Sequence, residues 1–153
     1  MYVGVWMSGM VKVDNVKFIV FCHATESLDK VRRAVLNLLP ESLRRKIRFR
    51  IYAVKGHYGN PISVIVVEVN KARYAMEVLS YLISKMRVED REYLVKTIRD
   101  RVDDEGNVHF RLDKQEAYMG NVKVCEGSDV VKVKVHISPE ALISLLKGCK
   151  DIG

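Results

Sequence analysis

Arg101-Val-Asp-Asp-Glu-Gly-Asn-Val-His-Phe-Arg-Leu-Asp-Lys-Gln-Glu-Ala-Tyr-Met-Gly120 packs a turn, a strand, a short helix and a glycine stop into one block. The acid-rich run Asp103 to Asn107 uses residues that tolerate a left-handed backbone, which marks a turn. Val108, Phe110 and Leu112 then alternate with His109, Arg111 and Asp113, the period-2 pattern of a half-buried strand. Asp113 with Glu116 three residues on has the spacing of a capping box, so a helix should begin there. That helix would offer Lys114, Gln115 and Tyr118 on one turn, and Gly120 would end it.

Downstream, Val122 and Val124 predict a short strand. Val131, Val133, Val135 and Ile137 alternate with Lys132, Lys134 and His136, predicting a longer one. Pro139 opens a last helix over Ala141 to Lys147, ended by Gly148. Upstream, Val16 to His23 reads as a buried strand, followed by a helix capped by Thr25 or Ser27 and striped with Val31, Ala34, Val35, Leu38 and Leu39. Arg48 to Val54 and Ile62 to Val69 form a hairpin around the turn Gly56 to Pro61. Lys71 to Met86 is an amphipathic helix. Glu89 to Arg101 is another, with Leu94, Val95, Ile98 and Val102 inward. Cleanly alternating strands between helices predict an α+β fold: a two-layer sandwich, its antiparallel or mixed sheet covered by helices on one face.

The 153 residues are 48% apolar, with a mean hydropathy of −0.03, as in a globular chain with its own core. Residues 1–12 read as a flexible leader and residues 13–150 as a single domain. No run reaches the length of a membrane span, so no membrane is expected as partner. Three cysteines, Cys22, Cys125 and Cys149, are odd in number and far apart. They form neither a disulfide framework nor a zinc pattern, and they suit a reducing cytoplasm.

Charge is more specific. The net charge is +7 and the pI about 9.4. Lys30 to Lys55 carries nine basic residues against Glu41 alone, so the remainder of the chain is close to neutral. Such a local excess points to a polyanion, or else to a solvated, solubilising face. Arg48, Arg50 and Tyr52 share one strand face, Lys132, Lys134 and His136 another, His109 and Arg111 a third. If helices cover the apolar side, all three rows meet on the open side of one sheet, where basic side chains with interleaved rings suit RNA. A plain solvent face carrying edge lysines is the competing reading. Gly56-His57-Tyr58-Gly59 has the G-x-x-G spacing that clamps nucleic-acid backbone in KH domains. There it joins two helices, and here it lies between strands. No G-x-S-x-G, P-loop or H-E-x-x-H is present, so neither a cofactor nor an enzymatic activity is expected. Asp103, Asp104, Glu105, Asp113 and His109 could hold a divalent metal for nuclease chemistry, but they fit an exposed turn and a cap better, and no metal site is expected.

F-C-H-A-T-E (21–26), K-G-H-Y-G-N-P-I (55–62) and R-x-D-x-x-G-N-V-H-F-R-L-D-K-Q-x-A-Y-x-G (101–120) resemble an archaeal family of small predicted RNA-binding proteins associated with the exosome. The resemblance runs from about Val13 to Ile137. It implies a fold similar to a large-subunit ribosomal protein that binds ribosomal RNA. It also implies RNA as partner, with exosome or ribosome-related proteins in association, and carries no catalytic residues. Arg44, Arg45, Lys46, Arg48, Arg50, Lys55, Lys132 and Lys134 are then the expected phosphate contacts. His57, Tyr58, Asn60, Arg111, Lys114, Gln115 and Tyr118 are the expected shape and base contacts. A subunit that docks on an RNA-processing complex without RNA affinity is the alternative, and a homodimer paired on the sheet is left open.

Overall fold

The computed structural model describes residues 11–152, with side chains as far as Gly148. The leader expected over residues 1–12 lies outside them up to Met10, and so does the side chain of Cys149. Val11 and Val13 are both buried in the core.

Strand β1, Asn15–His23, is the axis of the molecule. Its Val16, Phe18, Val20 and Cys22 are buried, while Lys17, Ile19, Phe21 and His23 turn to the opposite face. After it come helix α1 (Leu28–Leu36), strands β2 (Phe49–Lys55) and β3 (Pro61–Val69), and helices α2 (Ala72–Lys85) and α3 (Val88–Thr97). Strand β4 (Asn107–Asp113), helix α4 (Lys114–Tyr118), strand β5 (Val130–His136) and helix α5 (Pro139–Ile152) complete the order. The five strands form one sheet in the order β2-β3-β1-β5-β4, antiparallel at every pairing. The expected α+β sandwich with helices on one face is therefore what the chain forms.

The helices bury the apolar side of the sheet. Val31, Ala34 and Val35 of α1 are enclosed, as are Ala75, Val78, Leu79 and Leu82 of α2 and Leu142, Leu145 and Leu146 of α5. They meet Phe18, Val20, Ile65, Val67, Phe110 and Val133 in one cluster. Each Val, Leu, Ile or Phe side chain among them contributes about 1.5–3 kcal/mol by leaving water. Ser27, one of the two expected caps, accepts the Lys30 N–H at 3.3 Å and starts α1.

Four local expectations are corrected. Val122 and Val124 are buried but form only a single bridge, Leu112 to Val124. The bridge is held by the Asp113 N–H on the Lys123 carbonyl at 2.9 Å and the Cys125 N–H on the Arg111 carbonyl at 3.0 Å, while the Val124 N–H points away from β4 to Asp90 of α3 at 3.0 Å. The third helix tightens to a 3-10 turn over Ile98–Arg101, which changes the angular step and leaves Val102 exposed rather than inward. The last helix continues through Gly148, because Leu142, Leu145 and Leu146 hold it on the core. Asp113 does cap α4, accepting the Glu116 N–H at 2.9 Å. However, the Asp113 N–H goes to the Lys123 carbonyl, so the reciprocal half of the capping box is absent.

Candidate nucleic-acid interface

The side of the sheet away from the helices is organised in rows of directly opposed residues. One row runs Arg50, Val66, Ile19, Lys132, Arg111 across all five strands. At a strand spacing near 4.8 Å it is about 19 Å long. The row on one side runs Glu68, Lys17, Lys134, His109, and on the other Tyr52, Val64, Phe21, then Val54, Ile62, His23. Cations therefore stand at both ends of the face, with an apolar and aromatic strip between them. Arg50, Tyr52, Phe21, Lys132 and Arg111 are all exposed.

At the β4 end the face borders an open groove of about 600 Å³, lined among others by Arg101, Asp103, His109, Arg111, Lys132 and Lys134. Arg111 Nη1 donates to the Gly127 carbonyl at 3.2 Å, which fixes its guanidinium beside the groove. Lys132 Nζ lies 5.6 Å from the centre of the Phe21 ring. Glu126 closes the groove's outer wall. It accepts from Tyr93 Oη at 2.7 Å and pairs with Arg101, and the hydrogen bond from Tyr93, then the arginine, hold its carboxyl below the usual range.

The turn before β4 is self-contained. Asp103 Oδ1 accepts the N–H groups of Glu105 and Asn107, both at 2.9 Å. Its Oδ2 accepts Asn107 Nδ2 at 3.0 Å and lies 2.7 Å from His109 Nε2. The His109 contact, then the Asn107 N–H, hold the Asp103 carboxyl well below the ordinary carboxylate range. Its contribution to stability is thus complete above the unfolded value, about pH 3.9, and drains away as pH falls towards the lowered folded value. Asp103→Asn is expected to flatten the acid limb of the unfolding midpoint below about pH 4, read by urea unfolding across pH. An unchanged limb would place the acid sensitivity elsewhere. Both Asp103 oxygens are committed to the turn. Among the described residues no group of three or more His, Cys, Asp and Glu side chains is placed to hold a metal ion.

Gly106 follows with φ of +86°, and a Cβ there would sit 3.2 Å from His136 Nε2. Gly106→Ala is expected to cost about 1–2 kcal/mol in chemical denaturation, from the positive φ and this close approach together. No loss would mean that the turn re-forms in another conformation.

The sequence-derived contacts fall into four places. Arg50, Lys132, Lys134 and Arg111 share the open face, and Arg48 precedes β2 beside them. Lys55, His57, Tyr58 and Asn60 are at the exposed hairpin tip, where Gly59 takes φ of +80° and Tyr58 is 91% exposed. Arg44, Arg45 and Lys46 follow a 3-10 turn over Glu41–Leu43, and Arg44 Nε donates to the Leu39 carbonyl at 3.0 Å. Gln115 and Tyr118 are exposed on α4. They line a small cleft with Ser27 and Lys30 of α1, apart from the open face. Lys114 is not offered at all, contrary to its expected role. It is only 4% exposed and donates to the Phe21 carbonyl at 2.8 Å, to Glu26 at 3.0 Å and to Asp129 at 2.7 Å. A side chain at the start of a one-turn helix, directly after a strand, is carried back into the sheet edge.

Other residues went unmarked. Ile19 and Phe21 supply the apolar centre of the face, and their alternation with Val20 and Cys22 was the available signal. Lys71 and Arg73 join the expected Lys46 around the Tyr74 ring at the β2 end of the molecule, at 5.5, 5.0 and 5.7 Å from its centre. The hydrogen bond from Arg73, then Lys46, lower the Tyr74 hydroxyl's pKa. The first turn of α2 contains no acid, although acids are favoured there.

Fold and surface together define a small α+β protein with one sheet face left open and furnished with cations and rings. Within that class, the chain belongs to the RNA-binding family, whose family model matches residues 15–137. It is 37% identical over 132 residues to the RNA-binding protein PAB1135 of Pyrococcus abyssi, covering 86% of each chain. It is 32% identical over 123 residues to the uncharacterized protein MJ0213 of Methanocaldococcus jannaschii, covering 78% of this chain and 81% of that one. Among solved structures it is similar to protein AF2318 from Archaeglobus fulgidus, with a TM-score of 0.76 and 29% identity, covering 90% of this chain and 99% of that one. All three relatives are archaeal.

Proposed function

We propose that this chain is a non-catalytic RNA-binding protein that receives RNA across the open face of its sheet. The observation that carries the reading is the row Arg50, Val66, Ile19, Lys132, Arg111, an apolar centre bounded by cations. Phosphates go to the two ends of the face and to the Lys46, Lys71 and Arg73 group around the β2 edge. The RNA-binding name of the Pyrococcus relative supports the same reading. In the cell the protein acts in the cytoplasm as an accessory factor in archaeal RNA processing or degradation, in association with the exosome or ribosome-related proteins. The resemblance to a ribosomal-RNA-binding ribosomal protein suits that role.

Filter binding of RNA over a salt series tests it. Affinity should fall linearly on a log–log plot with salt, as counterion release requires. Arg48→Ala combined with Arg50→Ala should weaken binding and reduce the slope. Absent or salt-insensitive binding, unchanged in the double variant, would sink the proposal. A docking subunit without RNA affinity is favoured by one feature: among the described residues β2 is an unpaired sheet edge, with Ile51, Tyr52 and Val54 all exposed. Co-purification with an RNA-processing complex, with no RNA retained, would select that reading.

A further inference from the structure

We infer that the open face takes single-stranded RNA, stacking unpaired bases on Phe21 and Tyr52. This rests on the RNA reading above and narrows it to one class of RNA. Tyr52 and Phe21 both oppose Val64 from either side, so their rings stand two strands apart on one face, about 10 Å between strand axes. No single base covers both, and each ring takes its own. Phe21 is 38% exposed and Tyr52 47%, a large apolar area to leave in water on the face opposite the helices.

The surroundings match an unpaired strand rather than a duplex. Val54, Ile62, Val64 and Ile19 surround the rings, and the cations stand outside them: Arg50 beyond Val66 on one side, Lys132 and Arg111 on the other. A duplex keeps its bases stacked on one another and presents phosphates and 2′-hydroxyls, which are hydrated. Laid on this face it would set an apolar strip against a wet groove and leave both rings unused. An unpaired strand turns base faces to the strip and phosphates to the flanks. Lys132, which covers the Phe21 ring in the free protein, moves to the phosphate of the nucleotide stacked there.

The test compares a labelled oligoribonucleotide without secondary structure with the same sequence annealed into a blunt duplex, at one fixed salt concentration. Three proteins are used: the full chain, Phe21→Leu and Tyr52→Leu. The unpaired probe should bind at least about 10-fold tighter than the duplex. Each leucine variant should weaken the unpaired probe about 5- to 100-fold, the range for loss of one stacked base, and the duplex less than about twofold. Tyr52 is on an edge strand and Phe21 is half exposed, so both variants should keep the parent's thermal unfolding, which is measured alongside. Equal or tighter duplex binding overturns the inference while leaving the RNA reading intact, as does unpaired binding unchanged in both variants. No binding of either probe overturns the RNA reading itself.

Discussion

Lys132→Glu combined with Lys134→Glu is expected to lower RNA affinity about 100-fold or more. The two ammonium groups stand on β5 opposite Arg111 and His109, facing solvent on the open side of the sheet. Neither makes an ion pair among the described residues, and the Lys132 ammonium has only the Phe21 ring beside it. A charge-assisted hydrogen bond is worth about 1.5–3 kcal/mol, and two lost contacts convert to roughly two orders of magnitude in affinity. Reversal adds repulsion of the phosphates. The log–log salt slope should also become shallower by about 1.4, two phosphates' worth for a single strand. Unfolding midpoints should stay near the parent's, because Val131, Val133 and Val135 on the buried side are untouched. A change in affinity under about threefold, with an unchanged slope, would move the RNA off the sheet and towards the Lys46, Lys71 and Arg73 group.

Lys114→Met should do the opposite, lowering stability by about 3 kcal/mol and leaving the RNA affinity of the folded protein within about twofold. The lysine amine joins three elements: the end of β1 through the Phe21 carbonyl, the following turn through Glu26, and the approach to β5 through Asp129. Its removal leaves a part-buried carbonyl without this donor and two carboxylates without their cation. Breaking a fully buried pair costs about 3–5 kcal/mol, and the partial exposure of both acids puts this case at the lower end. For a chain of this length that is a fall of about 6–12 °C in Tm. Burial alone would depress the lysine pKa, but the hydrogen bonds to Asp129 and Glu26 outweigh it and the pKa is raised. The stabilisation is therefore complete below the unfolded value, about pH 10.4, and is lost as pH rises through the folded one. The parent should show this alkaline loss and Lys114→Met should not. A stable variant with impaired RNA binding would return Lys114 to the recognition surface.

The contrast between these lysines shows what a sequence can convey. The alternation of Val131 to His136 and of Val108 to Asp113 assigned each residue to a face, and the pairing register of the folded chain sets Lys132 beside Arg111 on it. Local periodicity suffices wherever a strand has one wet side. Lys114 follows a strand and opens a single helical turn, so no period says which way it points. Its acids are 88 residues upstream and 15 downstream, a separation that only the folded chain closes. Val122 and Val124 meet β4 at a single bridge, and the carboxylate that accepts the Val124 N–H comes from α3, 34 residues upstream, where no local period could place it. Lys71 and Arg73 escaped notice because they flank a tyrosine at a helix start, outside the basic run of residues 30–55. Much of the Arg101 to Gly120 block is structural: a turn bound by Asp103, a cap at Asp113 and a buried lysine. Arg111 is the part of it that faces the open side.

The position of β1 at the centre of the sheet sets the order in which the molecule can assemble. β1 is made early, but Val20 must wait for Ile65, and Asn15 for His136, which lies 121 positions downstream. Until β5 is synthesised, β1 lacks one of its two neighbours and β4 has no strand through which to join the sheet. Such non-local pairings make for slow folding, and a nascent chain halted before Val130 would hold Val-Lys-Phe-Ile-Val-Phe exposed along one edge. Lys17 is then the sole charge guarding that segment against strand pairing with another chain.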